Sequence, residues 1–167
     1  MAVREILVFP DPRLKAVCKE VKSLDEGAGA CVQDLVDTMN SHDYCVGMGA
    51  PQIGELLRII AVDCSRYRKP VPNRGLIVLL NPQILTAEGK EIAREGCLSL
   101  PDYTGNVERA VRVVIQGLDR TGRLTLVETE GFEARALQHE IDHLDGILFL
   151  DRIASLKTDL FRRKARA

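Results

Sequence analysis

Residues 132–145, Phe132-Glu133-Ala134-Arg135-Ala136-Leu137-Gln138-His139-Glu140-Ile141-Asp142-His143-Leu144-Asp145, decide how this chain is read. Two inward stripes run along them at helical spacing. Leu137, Ile141, Leu144 and Leu148 form one, and Phe132, Ala136, His139 and His143 form the other. A helix with two inward faces needs neighbours on both sides. The spacing therefore predicts a central helix from about Phe132 to Asp145, stopped at Gly146. Working outward, Leu56–Val62, Gly75–Leu80, Ala110–Leu118 and Leu124–Thr129 are short, rich in β-branched residues and separated by turn clusters such as Asp119-Arg120-Thr121-Gly122, so they are expected strands. Asp25–Asn40 carries Ala28, Val32, Leu35, Val36 and Met39 at helical spacing. Before it, Ile6–Val8 reads as an extended piece ended by a turn at Pro10-Asp11-Pro12, because the prolines exclude a continuing helix. The order helix, strands, helix predicts an α+β fold. Antiparallel or mixed sheets pack around the central helix, with further helices near the N- and C-termini.

The chain has 167 residues, a length that suits a single domain. Residues 1–150 form the expected catalytic body, and 151–167 an expected basic amphipathic helix, carrying Ile153, Leu156 and Leu160, within the same domain. Lys+Arg number 23 and Asp+Glu 24, a net charge of −1 that argues against a general polyanion-coating protein. Trp is absent and aromatics are 4%, so a base-stacking surface is poorly supplied. No apolar run approaches the roughly 20 residues of a membrane span, and the first residues lack a basic-then-apolar signal layout. Five Cys (18, 31, 45, 64, 97) make an odd count without an export signal. The expectation is a reducing cytoplasm and no disulfide framework.

His139-Glu140-Ile141-Asp142-His143 fits H-E-x-x-H. At i and i+4 the two imidazoles share a helix face and reach one metal ion. Glu140 lies about 100° around the helix, near enough to touch a water without being a ligand. A base beside an acidified water is what hydrolytic metal chemistry requires. A catalytic site of this kind takes a third protein ligand. The 24 residues after His143 contain neither Glu nor His, so it is an Asp or comes from upstream. Glu95-Gly96-Cys97-Leu98-Ser99 is the best candidate, offering a soft thiolate and a glycine that admits close approach of a substrate. The spacing alone leaves Cys97 balanced between ligand and buried small hydrophobe. Asp142 either orients an imidazole or faces solvent. Ser41-His42-Asp43 is read as loop, since consecutive residues cannot converge as a triad.

With these segments read, the chain resembles the peptide deformylases. That family is marked, in order, by a G-x-G-x-A-A-P-Q loop, E-G-C-L-S, and Q-H-E-x-D-H. Glu95–Ser99 and Gln138–His143 match in full. The loop matches at Gly47, Ala50, Pro51 and Gln52, but Cys45 stands at the first Gly and Gly49 at the first Ala. Pro10-Asp11-Pro12-Arg13-Leu14, Asn81-Pro82 and Val107-Glu108-Arg109 are also similar to family stretches, so the resemblance covers roughly residues 6–150. It implies that Cys97, His139 and His143 hold one divalent metal, Fe2+ in the native enzyme and often Zn2+, Ni2+ or Co2+ after isolation. It implies removal of formate from the N-formylmethionine of new polypeptides. Glu140 would move the proton, and the Leu98 N–H and the Gln52 amide would steady the oxyanion. Val46 and Gly47 would offer backbone to an extended peptide, with Gly96 opposite. Phe132 and Ala136 would line the methionine pocket, and Glu95 and Arg109 would pair in support.

Two other readings belong to different classes. A general metallopeptidase predicts a Glu or His ligand after the helix, which the sequence lacks. A metal-binding but catalytically weak relative that only binds N-termini is suggested by Cys45 and Gly49. Both are small residues where close approach is needed, which favours an active enzyme. From Asp151 onward six Lys/Arg face two Asp, a net of +4, leaving −5 on the rest. Such a basic helix suits contact with ribosomal RNA, and some deformylases are thought to dock on the ribosome through a C-terminal helix. Nascent formylated chains are thus the expected partner, with no DNA and no membrane; the tail either contacts the ribosome or packs Ile153, Leu156 and Leu160 on the domain with its charges solvated.

Overall fold

A computed structural model describes residues 2–163. Two antiparallel sheets and two long helices make up its body. Helix α1 (Glu26–Asn40) opens on Asp25, whose carboxylate accepts from the Ala28 N–H at 2.9 Å, an ordinary N-cap. The strands are β1 (Gly47–Gly49), β2 (Ile59–Asp63), β3 (Leu76–Glu88), β4 (Glu91–Cys97), β5 (Leu100–Arg109), β6 (Arg112–Leu118) and β7 (Leu124–Glu130). Helix α2 (Gly131–Leu144) follows, then a four-residue turn of helix α3 (Phe149–Arg152) and strand β8 (Leu160–Arg162). One sheet has the order β1-β2-β3-β6-β7 and the other β4-β5-β8. Every strand pair is antiparallel.

The apolar run Ile59-Ile60-Ala61-Val62 explains the layering. Successive side chains of a strand point to opposite faces, so a continuous apolar run requires cover on both. Ile60 and Val62, with Ile77 and Leu79 of β3, pack with Leu137, Ile141 and Leu144 of α2. Ile59 and Ala61, with Val78 and Leu80, pack with Val32, Leu35, Val36 and Met39 of α1. The five-stranded sheet is thus held between the two helices, and α2 is the central one, as its two stripes predict. A third cluster, Leu14, Cys97, Leu100, Val107, Leu148 and Phe149, lies under the three-stranded sheet. The N-terminal stretch joins neither sheet. It braces both, with the Leu7 N–H on Gln52 O at 2.8 Å and the Phe9 N–H on Ser99 O at 2.9 Å.

Three expectations need correction. The C-terminal segment is not a helix: helix ends at Arg152, and the chain returns as β8, pairing Thr104 with Phe161. Leu156 is exposed rather than packed, whereas Ile153 packs on the third cluster. The rest of the basic tail, residues 164–167, lies outside the described residues. The strand expected at Gly75–Leu80 runs on to Glu88 through two register shifts, one next to Asn81, which has φ 53° and whose amide holds both backbone groups of Val21. Strands β4 and β5 were not expected at all.

Candidate active site

Strand β1 lies directly against α2. Its sequence, Gly47-Met48-Gly49, sends Met48 into the α1 cluster and turns the two glycines to the helix. A Cβ on Gly47 would stand 2.9 Å from Glu140 Oε1, and one on Gly49 would stand 3.1 Å from the His143 Cβ. Glycine at both positions is what lets the strand approach the helix this closely. From the other side comes β4, which ends at Cys97. A tight turn through Leu98 and Ser99 then leads back into β5. The two sheets therefore meet at α2 through their edge strands, β1 and β4.

Between those edges the ligating atoms of Cys97, His139 and His143 all lie within 4.8 Å of one another. Cys97 Sγ is 3.4 Å from His143 Nε2. A tetrahedral ion with bonds of about 2.3 Å to sulfur and about 2.05 Å to nitrogen would set that edge at roughly 3.5 Å, so the spacing fits. His139 Nδ1 is 2.8 Å from Glu95 Oε1, which leaves Nε2 for a ligand role. Burial, with His139 and Arg109 nearby, holds His143 well below the ordinary histidine range, whereas Cys97 and Glu95 hold His139 well above it despite burial. Burial pushes the remaining thiols up, to about 11 for Cys18 and about 12 for Cys31, Cys45 and Cys64. Those four stay protonated and unreactive. A thiolate and two imidazoles fit a divalent transition ion.

Glu140 is buried beside this trio, and its Oε2 has no partner. An unpaired buried carboxylate oxygen is expensive unless a ligand or solvent meets it. Burial raises its carboxyl to about 7, against the opposing pull of His139 and Arg109. Gln52 is also buried: its Oε1 accepts from the Gly49 N–H at 3.0 Å, and its Nε2 donates to Ser99 Oγ at 3.1 Å and points at Cys97 Sγ, 3.5 Å away. Leu98, next to Cys97, is half-buried against the α1 cluster.

The supporting residues are more numerous than the sequence reading found. Arg109 grips Glu95 with Nε at 2.7 Å and Nη2 at 2.9 Å. Its Nη1 donates to Asp142 at 2.7 Å, and Arg152 closes on the same carboxylate. Asp142 thus neither touches an imidazole nor faces solvent; it is the far anchor of Arg109. Sequence reasoning missed Arg135, whose Nη1 reaches Glu95 Oε2 at 2.6 Å and Val107 O at 2.9 Å. The signal was there, since Arg135 precedes His139 by one turn on an inward face. His139 and the Arg109 guanidinium hold the Glu95 carboxylate well below the usual range despite its burial.

The expected substrate-lining residues are only partly brought together. Gly47 and Gly96 lie on the two facing edges, but the Val46 carbonyl is already taken by the Asp63 N–H at 2.7 Å. Ala136 and Phe132 lie on the α2 cluster, and Phe132 stacks on Tyr67 with ring centroids 4.2 Å apart. Tyr67 carried no signal in the sequence.

Comparison with known proteins agrees with this geometry. The polypeptide deformylase family matches residues 3–159. The chain is 44% identical to the peptide deformylase of Thermodesulfovibrio yellowstonii, covering 98% of this chain and 97% of that one. It superposes on a peptide deformylase from Legionella pneumophila with a TM-score of 0.84 at 40% identity, over 93% of this chain and 89% of that one. A Met-Ala-Ser-bound peptide deformylase of Acinetobacter baumannii gives 0.85 at 31% identity, over 91% and 100%. The loop, the Cys segment and the helix fall in one site, and the match runs nearly end to end; the chain belongs to the polypeptide deformylase family.

Proposed function

We propose that the chain uses the site between β1, β4 and α2 to hydrolyse the N-formyl group of formylmethionine on newly made polypeptides. The products are formate and a free α-amine. The observation that carries the reading is a Cys-His-His donor set within 4.8 Å beside a buried carboxylate with an unpartnered oxygen. Cys97, His139 and His143 hold a divalent ion, Fe2+ in the cell, with Zn2+, Ni2+ or Co2+ able to replace it. When bound, the ion supplies Lewis acidity, which lowers the pKa of a water and polarises a carbonyl.

The remaining work falls to the protein. Glu140 takes the water's proton as its oxygen attacks the formyl carbon, then hands that proton to the methionine nitrogen as the C–N bond breaks. The Leu98 N–H and Gln52 Nε2 donate to the oxygen that gains charge. Gln52 suits this because Ser99 engages one amide proton and the other is aimed at the site. An extended peptide lies between the β1 and β4 edges, pairing with backbone near Val46, Gly47 and Gly96. Its methionine enters beside Phe132 and Ala136. Glu95, held by Arg109 and Arg135, fixes His139. The reaction belongs in the cytoplasm, on nascent chains. Arg152, Lys157 and Arg162 offer positive charge toward ribosomal RNA, without the helix first expected. No helix of the described residues is long and apolar enough to cross a membrane.

The test is formate release from formyl-Met-Ala-Ser by protein loaded anaerobically with iron, with metal measured on the same sample. Glu140→Gln should lower kcat by about 10³ while metal stays near one per chain, since general acid–base groups contribute about 10²–10⁴. Cys97→Ser should lose metal as well as activity. Full activity in either variant would refute the assignment.

A further inference from the structure

Side chains of β4 alternate between two faces. Glu95 and Cys97 point to the candidate site, whereas Arg94 and Gly96 belong to the other face, as do their partners Asn106 and Thr104 on β5. The register Thr104↔Phe161 carries that face onto β8. There the Arg94 guanidinium lies 3.6 Å from the Phe161 ring centroid. It also donates to Asn106 Oδ1 at 3.1 Å and Thr104 Oγ1 at 3.3 Å. Arg163 follows β8, its N–H on Asp102 O at 2.7 Å. Its side chain reaches across β5 to β4. A Cβ on Gly96 would collide with Arg163 Nη2 and stand 3.5 Å from Thr104 Cγ2. Arg163 thus occupies the space that a side chain at position 96 would fill. Among the described residues it makes no ion pair, and Asp102 offers it a carbonyl rather than a carboxylate.

This inference rests on the deformylase reading. Gly96 is exposed on an edge strand, next to Cys97. A peptide extended along that edge with its methionine side chain on the Cys97 face must turn the following side chain to the Gly96 face. We propose that Arg163 is a specificity-determining residue, and that it selects an acidic side chain on the residue after formylmethionine. Arg94 adds charge of the same sign but is already committed to Asn106, Thr104 and Phe161. Of the two, Arg163 makes no ion pair among the described residues.

The experiment compares kcat/KM for formyl-Met-Glu-Ser and formyl-Met-Lys-Ser using the metal-loaded full chain. Wild type should favour the Glu peptide by about fivefold at low salt, the range of exposed ion pairs. The preference should shrink toward one near about 0.5 M salt, where charges are screened. Arg163→Gln should remove the preference and Arg163→Glu should invert it. Lys157→Gln, which removes an exposed charge from the same segment, should retain it. A wild-type ratio near one, a ratio insensitive to salt, or a ratio unchanged in both Arg163 variants would overturn the proposal while leaving the deformylase reading intact. Hydrolysis of neither peptide by wild type would overturn both.

Discussion

Replacing Gly47 by Ala adds one methyl group at the most crowded point of the site. The new Cβ would lie 2.9, 3.0 and 3.1 Å from Oε1, Cγ and Cδ of Glu140. Comfortable contacts need about 3.5–4.0 Å, so three atoms are too close by about half an ångström or more. Strand β1 cannot withdraw easily. It pairs with β2 along all three residues, Met48 is fully buried, and the Asp63 N–H holds the preceding carbonyl. The carboxylate of Glu140 is the part that gives. A displacement near 1 Å costs about 10² in rate when it misplaces a reacting group, equivalent to about 2.7 kcal/mol in the barrier. The methyl group adds overpacking of about 1–3 kcal/mol, which the melting temperature will register. Metal content should remain near one per chain, because Glu140 is not in the donor set. The assay is formate release from formyl-Met-Ala-Ser at saturating substrate, with metal measured on the same sample. Gly49→Ala is the comparison, because its Cβ meets the His143 Cβ at 3.1 Å and stays clear of the Glu140 carboxylate. Because the family pattern carries Ala at this position, it should leave metal content and kcat near the wild-type values. A Gly47→Ala protein with one metal and a kcat within twofold of wild type would refute the argument that β1 sets the position of Glu140.

Glu95→Ala should weaken metal retention by about 10–100-fold, because His139 loses the partner that fixes its ring. It should also destabilise the fold by about 3–5 kcal/mol by leaving Arg109 and Arg135 without their shared carboxylate, readable as a shift in denaturant midpoint. Glu95→Gln should recover part of the first effect and little of the second. Iron-loaded protein should lose activity in air sooner than nickel-loaded protein, since a thiolate beside Fe2+ exposes both to oxidants. Equal lifetimes in aerated buffer would count against iron ligated by Cys97.

How far the residues revealed the structure depended on the kind of signal each carried. Helix α2 was legible because its stripes have a period and its His-Glu-x-x-His has a chemistry; expectation and structure differ by one residue at each end. Helix α1 differs by one residue at its start. Strands β4 and β5 were invisible for the opposite reason. Glu91-Ile92-Ala93-Arg94-Glu95-Gly96-Cys97 has no regular apolar alternation, and its inward face carries Glu95, a charge satisfied only by Arg109, Arg135 and His139 from elsewhere in the chain. Local patterning cannot find a strand whose buried face is an ion network. The C-terminal segment failed differently. Ile153, Leu156 and Leu160 suggested one helical face, yet Ile153 packs against Gly105 and Leu160 pairs with the same residue across the sheet.

The same contrast applies inside the site. The structure brings Cys97, His139 and His143 within 4.8 Å with Glu140 buried beside them; helical spacing marked the two His and Glu140, whereas spacing left Cys97 open and the resemblance singled it out. Tyr67 and Arg163 take their places from tertiary contacts, which a linear pattern does not encode, whereas Arg135 carried a helical-spacing signal that went unread. The arrangement also gives the departures at Cys45 and Gly49 a physical meaning. Cys45 Sγ donates to the Gly47 carbonyl at 3.4 Å, so the thiol braces β1 from behind. Gly49 leaves α2 room to press on the strand at His143. The Ala that the family pattern carries at position 49 would set its Cβ 3.1 Å from the His143 Cβ, a contact met by a shift of a few tenths of an ångström. The small residues of this loop therefore set how closely β1 approaches α2.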